Sequence, residues 1–386
     1  MKRTLFVLIS VMMVASMLLT ACGTPAPTKP TVTFWHAYGT GSAEEVALTA
    51  VLAQAAIDLP DITINVLQVP FNDIYNKYTT DVAAGGGPDM FVAPNDNLGD
   101  EARAGLIADI TDLVNGKLND YAPLSIEGMS TGGKIYGIPE SLKAVVFWYN
   151  KSLLATPPAT TADLLALMQS GTPVDVSDSC YHVWGFYGSF GGQIFDSNWK
   201  VIADQGNGIV DAMTYLNALY QIEKTAGWPK TDSDGLAPFQ EGSIAAITNG
   251  NWAMGDYQSA LGDKLGVAPL PAGPGGKASP MLGVDGYYIN PNSQNKDAAI
   301  QVALYLTGAS AETKMMEAGH VPAITTATIT NPLLQSLQAA FADGYVRPQV
   351  PQLGNYWSNF CGMDQVYEKG VAPALWVSEG TANANK

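Results

Sequence analysis

Three short apolar runs decide the fold: residues 31–35 (TVTFW), 62–69 (ITINVLQV) and 90–93 (MFVA). Each is rich in β-branched and aromatic residues and short enough for a strand, and between them the pattern turns helical. Ser42 and Glu45 make a capping box ahead of an Ala/Leu/Val-rich stretch, which predicts a helix to about Ile57. Residues 71–84 predict a second helix. This β-α-β-α-β rhythm argues for a mostly parallel α/β sheet, with ligand chemistry in the loops after the strand C-termini. Further on, residues 134–138 and 145–149 read as strands on either side of Pro139. Helices are expected at 209–224, 297–306, 311–318 and 332–341, with a Pro/Gly-rich stretch at 269–280. No repeat of solenoid length is visible.

At ~150 residues per domain, 386 residues give two to three domains. Hydrophobic residues make up 47% and charged residues only 14%, against ~25% in an ordinary soluble domain. The surface is therefore polar but largely uncharged, and 8 Trp and 17 Tyr supply flat aromatic area. A net charge of −16 excludes general attraction to nucleic acid or to an anionic lipid surface. Three scattered Cys and three scattered His exclude a disulfide framework and a histidine or zinc cluster, and no cofactor or metal is expected.

Lys2 and Arg3 precede an apolar run over 5–19, the charge and length of a secretory leader and too short for a confident membrane span. Leu19-Thr20-Ala21-Cys22 resembles the lipobox of bacterial lipoproteins, which implies a leader of residues 1–21 and a lipid on Cys22. Without Lys2 and Arg3, 17 basic residues face 35 acidic, a mature charge of −18. Residues 22–30, with GTPAPTKP over 23–30, form the expected tether.

Five stretches then fall in a recognisable order: 87–91 (GPDMF) with Asn95-Asp96-Asn97; 134–139 (KIYGIP) leading to 149–154 (YNKSLL); 239–247 (FQEGSIAAI) with Gly250-Asn251-Trp252; 266–271 (GVAPLP) with Gly283-Val284; and Pro351-Gln352 with Tyr356-Trp357. Together they resemble the extracellular solute-binding proteins of ABC importers, in the maltose-binding-protein-like sugar family. The resemblance implies a periplasmic-binding-protein-like fold of two α/β lobes joined by three crossings, near 140–146, 282–287 and 327–332. The first lobe would hold 31–142 plus 285–328 and the second 143–284 plus 329–380. It also implies a monomer that captures a neutral mono- to oligosaccharide, maltose- or trehalose-like, by hinge closure and hands it to the membrane permease.

A neutral sugar offers apolar C–H faces and a rim of hydroxyls, so its site needs aromatic surfaces and a few hydrogen-bonding groups. By resemblance Asp96 and Asn97 form the polar ligand loop, Asp96 accepting from hydroxyls; many sugar binders carry Arg where Asn97 stands, and the plain reading of Asp96 is a turn former. His36 and Tyr38 lie in the loop after the first strand, where His36 reads equally as a solvated loop residue. Trp252 matches a stacking Trp, as does Trp357 with Tyr356 as its alternative. Tyr181 and Trp184 match the second lobe's further aromatic, with core packing as the other reading. Lys143 stands where some relatives carry a ligand-binding carboxylate, and is either re-employed or a plain hinge residue. Asp285, Gly286 and Tyr287 lie at the second crossing, where Gly286 would let backbone approach the sugar. Cys180 and Cys361 both fall in the second lobe, either as a disulfide or as two buried thiols.

Enzyme motifs fail on context. Gly128-Met129-Ser130-Thr131-Gly132 fits a nucleophile elbow but is followed by a strand-like run, and the near P-loop over 128–134 has Ile135 where Ser or Thr is required. Asp232-Ser233-Asp234-Gly235 places its Gly early for a calcium loop. The readings carried forward are a sugar binder, a binder of another solute such as an amino-sugar or polyol derivative, and a secreted glycoside hydrolase with no carboxylate pair singled out.

Overall fold

The computed structural model describes residues 29–230 and 237–386. The leader, Cys22, most of the tether and the Asp232 to Gly235 motif lie outside the described residues. In chain order the elements are β1 (Thr31–His36), α1 (Ala43–Asp58), β2 (Thr63–Gln68), α2 (Phe71–Ala83), β3 (Met90–Pro94), the hairpin β4 (Ser130–Thr131) and β5 (Lys134–Ile135), and β6 (Gly137–Lys143). There follow β7 (Val145–Asn150), α3 (Thr161–Gln169), β8 (Val174–Asp175), α4 (Cys180–Ser189), α5 (Gly208–Ala226), β9 (Ala246–Gly250), α6 (Met254–Leu261) and β10 (Leu265–Ala268). The chain continues through β11 (Met281–Ile289), α7 (Lys296–Leu306), α8 (Ala309–Met315), β12 (Val321–Pro322), α9 (Pro332–Ala340), β13 (Tyr345–Val346), α10 (Pro351–Phe360) and α11 (Pro373–Ala384). Helices of four to six residues fill the remaining turns.

Two sheets form two α/β lobes. One runs β2-β1-β3-β11-β6-β12, with β13 added alongside β11; the other runs β8-β9-β7-β10. β1 lies parallel to both β2 and β3, whereas β11 lies antiparallel to β3 and β6. The inner strands β3 and β7 are apolar on both faces because both faces are covered, whereas the edge strand β2 is largely exposed. Val32 and Phe34 of β1 and Met90 and Val92 of β3 enter one core beneath α1 and α7, while Trp35, Phe91 and Ala93 enter another beneath α2. β7 repeats the device in the second lobe: Val145 and Phe147 pack with α4, α5 and α11, and Val146 and Trp148 with α6 and α9. Each buried aromatic or branched aliphatic side chain contributes about 1.5–3 kcal/mol on leaving water.

Local details depart from the sequence reading in three places. Ser42 caps α1 by accepting from the Glu45 amide, but the Glu45 carboxylate turns outward to the Gly41 amide, one residue before the cap, because that loop already folds back on itself through the Ser42 to Gly39 hydrogen bond. Pro139 lies inside β6 rather than between strands. It is tolerated because the register with β11 shifts between Asp285 and Gly286, directly opposite, so no ladder amide is required there. The last helix also continues past residue 380, and Ala384 is buried in the second core.

The chain passes between the sheets at Ala144, between β6 and β7, and along β11, whose Met281 belongs to the second lobe's core and whose Tyr287 and Ile289 belong to the first's. It passes again before α9, where Ile324 packs on the first core and Ala327 and Ile329 on the other lobe. Cys180 and Cys361 form a disulfide, their Cα atoms 4.9 Å apart, joining the start of α4 to the end of α10. Among the described residues no helix is long and apolar enough to cross a membrane.

Candidate functional site

Where the two sheets meet, the backbone brings five ionisable side chains from five places in the sequence into one buried cluster. Lys143, the last residue of β6, places its ammonium 2.7 Å from Asp285 and 3.1 Å from Glu44 in the first turn of α1. His320, wholly buried just before β12, stands 2.6 Å by Nδ1 from Glu140 and 2.8 Å by Nε2 from Glu44. Burial lowers the basicity of this imidazole, but the two carboxylates outweigh it and raise its pKa to about 10, so both ring nitrogens donate. Glu44 suffers burial that disfavours its charge, yet Lys143 and His320 hold it at about 2. Asp285 rises to about 6, burial exceeding the pull of Lys143. For Lys143 the balance is reversed, and Asp285 and Glu44 keep it firmly charged. Three carboxylates therefore face two cations in a water-poor corner.

Opposite this ionic wall stands an aromatic one from the second lobe. β9 ends at Gly250 and the chain turns through a single 3₁₀ turn, Asn251–Ala253, that presents the half-buried Trp252. A Cβ on Gly250 would overlap the indole, so only glycine lets the ring lie flat against this backbone. Tyr181 of α4 stacks on Trp252 with centroids 6.2 Å apart and planes 29° from parallel, and His182 meets the same indole edge-on at 5.8 Å. The Lys143 ammonium stands 5.8 Å from both the Trp252 and the Tyr38 ring centroids, in cation–π range of each. Tyr38 in turn lies against His36 at 5.8 Å and against the edge of His320 at 5.7 Å. Burial raises the pKa of Tyr38 and Tyr181 and lowers that of His36 and His182, so these groups are neutral donors and acceptors.

A third part spans the two lobes. Arg347, beyond β13, is almost wholly buried with its guanidinium 5.0 Å above the Tyr181 ring and ion-paired to Asp96 in the loop after β3. Desolvation lowers this arginine to about 10. Two residues on, Gln349 donates to the Asn95 carbonyl at 3.1 Å and accepts from the Gly99 amide at 3.2 Å. Asn97 begins the short helix Leu98–Arg103, its carbonyl accepting from the Glu101 amide.

The structure thus gathers Tyr38, Lys143, Tyr181, Trp252 and Asp285 around one space, with His36 behind Tyr38 and Asp96 joined through Arg347. It does not gather the rest. Tyr287 is part of the first core, its ring against Phe34 at 5.7 Å. Gly286 does not offer backbone to a ligand: a Cβ there would strike the Met129 sulfur at 2.5 Å and the Ile138 carbonyl at 3.0 Å, so the glycine serves close packing within the sheet. Trp184 and Tyr356 are core residues of the second lobe, meeting edge-on at 4.7 Å, and above them only Trp357 is half-buried, 6.4 Å from Trp184. Glu44, Glu140, His320, Arg347 and Gln349 escaped the sequence reading. Arg347 alone left a signal, being one of three arginines in the chain and followed by proline. Ser130 of the elbow-like motif donates its hydroxyl to the Ile126 carbonyl at 2.6 Å within the β4-β5 hairpin, far from a strand-turn-helix geometry.

An aromatic wall on one lobe, an ionic wall on the other and hinge strands between them define a two-lobed binding protein. Residues 42–313 match the family model described as bacterial extracellular solute-binding protein, and the chain belongs to that family. It is 26% identical over 328 residues to the maltotriose-binding protein of Pyrococcus abyssi, covering 78% of this chain and 70% of that one. The maltooligosaccharide ABC transporter solute-binding lipoprotein of Streptococcus pneumoniae is 25% identical over 383 residues, covering 89% and 87%. Among solved structures, the Thermus thermophilus maltotriose-binding protein bound with maltotriose superposes with a TM-score of 0.80 at 25% identity, covering 92% of this chain and 99% of that one.

Proposed function

We propose that the chain is the substrate-capture component of an ABC sugar importer, closing over a neutral maltodextrin-type oligosaccharide and performing no chemistry on it. The observation that carries this reading is the Trp252–Tyr181 platform facing Lys143 and Asp285 across the hinge. A stacked indole takes the C–H face of a pyranose while the opposite wall takes its hydroxyl rim. Several polar atoms buried in that wall have no hydrogen-bond partner among the described residues, including the Tyr38 hydroxyl, Glu140 Oε2 and Ser141 Oγ, as a site that bonds a polyol requires. In this reading the contacts come from Tyr38, Asp96, Lys143, Tyr181, Trp252 and Asp285, with Arg347 and His36 behind them. The lobes are assigned as 31–142 plus 285–328 and 143–284 plus 329–380, the second running on with α11 to Ala384: the cores under α1 and under α4 each fall within one of them, while the core between α6 and α9 draws on both. Lipidation at Cys22 would hold the protein as a monomer at the outer face of the membrane beside its permease, in keeping with the Streptococcus relative's description as a lipoprotein.

Titrating the purified protein with a panel from glucose to maltoheptaose, by calorimetry and thermal shift, tests the proposal. Binding strongest for a maltodextrin, without release of reducing ends, supports it; no binding to any member or hydrolysis of one overturns it. One observation favours a second reading: Glu44, Glu140 and Asp285 outnumber Lys143 and His320, so a cationic amino-sugar would find a surplus carboxylate. Chitosan oligomers in the same panel decide between the two.

A further inference from the structure

We infer that Asn251 is the positioning residue that couples hinge closure to the placement of Trp252; the inference rests on the proposal that the lobes close over a sugar. Asn251 has no exposed surface and spends both its amide donors and one acceptor position on three backbone groups. Its Oδ1 accepts from the Ala144 amide at 3.0 Å, and its Nδ2 donates to the Leu142 carbonyl at 3.2 Å and the Gly319 carbonyl at 2.9 Å. Leu142 and Ala144 flank Lys143 on the first passage between lobes, and Gly319 directly precedes His320. One side chain from the second sheet therefore grips the backbone beside both cations of the ionic wall.

The approach on the far side is close enough to require glycine. Gly319 has φ +105°, and a Cβ there would overlap the Asn251 carbonyl oxygen and lie 2.6 Å from Met254 Cβ. On the near side the Trp252 indole lies flat over Gly250, so Gly250, Asn251 and Trp252 turn as one unit. The neighbouring contact runs the same way: the Ala43 amide of α1 donates to Asp256 of α6 at 3.2 Å, and a Cβ on Gly255 would meet Ala43 Cβ at 2.5 Å. The bonds to Leu142 and Ala144 sit on the pivot and persist as the lobes part. The bond to Gly319 joins opposite lobes and is made on closure, when Trp252 arrives over Lys143. Removing it raises the population of the open form, and apparent affinity falls with the closed fraction.

The test uses the full chain with maltotriose as the probe. Asn251→Asp keeps an acceptor for Ala144 and loses both donors; Asn251→Ala loses all three bonds; Gly319→Ala presses on the same clasp from the other lobe. Small-angle scattering should show each variant with a larger unliganded radius than the parent. Stopped-flow tryptophan fluorescence should show maltotriose leaving about tenfold faster, with association little changed, while far-ultraviolet circular dichroism remains that of the parent. Folded variants with the parent's unliganded radius and dissociation rate overturn the inference. Should Asn251→Ala fail to fold, Asn251→Asp and Gly319→Ala decide the question by the same two readouts. If the parent itself binds no sugar, the proposed function falls, while the unliganded radius still decides for or against the clasp.

Discussion

The two walls of the cleft are built on opposite principles. The first lobe's wall, joined by Lys143 from the passage between the lobes, is ionic and largely self-paired: Lys143, Glu44, Asp285, His320 and Glu140 spend most of their charge on one another, while Glu140 Oε2 and Ser141 Oγ keep no partner among the described residues. The second lobe's wall is aromatic and carries little charge, Trp252 and Tyr181 offering faces rather than bonds. A buried charged network is costly to assemble and rigid once complete, whereas a stacked ring is inexpensive to bury and indifferent to small shifts. The ionic wall is therefore suited to fixing where the ligand's hydroxyls go, and the aromatic wall to supplying affinity that survives differences in chain length.

The sharpest way to break this contrast is to remove its central cation. Lys143→Met leaves Asp285 buried without its cation and Glu44 with His320 alone, and should cost about 3–5 kcal/mol of stability, read from urea unfolding; a loss under about 1 kcal/mol would mean that the wall is not a network. Next in size is the Cys180–Cys361 bridge, which fastens the aromatic wall's α4 to α10 across 181 residues. Cys180→Ser with Cys361→Ser should lower stability by about 2–4 kcal/mol, and alkylation of the unreduced protein should label neither cysteine. Trp252→Ala should weaken maltotriose binding by about 1–3 kcal/mol with the urea midpoint nearly unchanged, whereas Trp357→Ala, away from that cluster, should leave binding close to the parent's. A stability loss as large as that of Lys143→Met would place Trp252 in the core instead.

The smallest effect is in pH. His320 is raised from its ordinary 6.5 to about 10, so the stability it contributes is complete below pH 6.5 and is lost as pH climbs through 10. Glu44 is depressed from 4.5 to about 2, so its contribution holds above pH 4.5 and is lost on acidification towards 2. Two buried carboxyls elsewhere, Glu101 and Glu223, are raised from 4.5 to about 8 by burial, so on their account stability falls between pH 4.5 and 8 and is level above that. Burial also raises Glu312, so the readout for His320 is the difference between parent and variant: between pH 6.5 and 10 the parent's urea midpoint should fall more steeply than that of His320→Gln. Equal slopes would detach His320 from Glu44 and Glu140.

What the chain discloses about itself follows the same division. The β-α-β rhythm of residues 31–93 was legible because strand and helix patterning are local, and the capping residue Ser42 marked the first helix to within a residue. Trp252 was singled out by its resemblance to a stacking tryptophan after a β-rich run; the residues alone would have placed it in the core. The ionic wall was not: its five members stand at 44, 140, 143, 285 and 320, no spacing relates them, and only two were singled out, Lys143 because some relatives carry a ligand-binding carboxylate there and Asp285 for its place at a crossing. Gly286 was misread because a glycine in a strand signals close approach without saying of what, and here the approaching group is Met129. Tyr287, Trp184 and Tyr356 were drawn towards the ligand by their neighbours in sequence, although the pleat of β11 and the helical turns of α4 and α10 carry them inward.

β11 has one more consequence. Its nine residues supply Met281 to the second lobe's main core, Leu282 to the core between α6 and α9, Val284 and Tyr288 to the core under α2, and Tyr287 and Ile289 to the core under α1. A single strand shared among four cores leaves neither lobe with a complete interior of its own. The two lobes should therefore melt as one cooperative unit, and calorimetry should register a single transition whose van't Hoff enthalpy matches its calorimetric enthalpy.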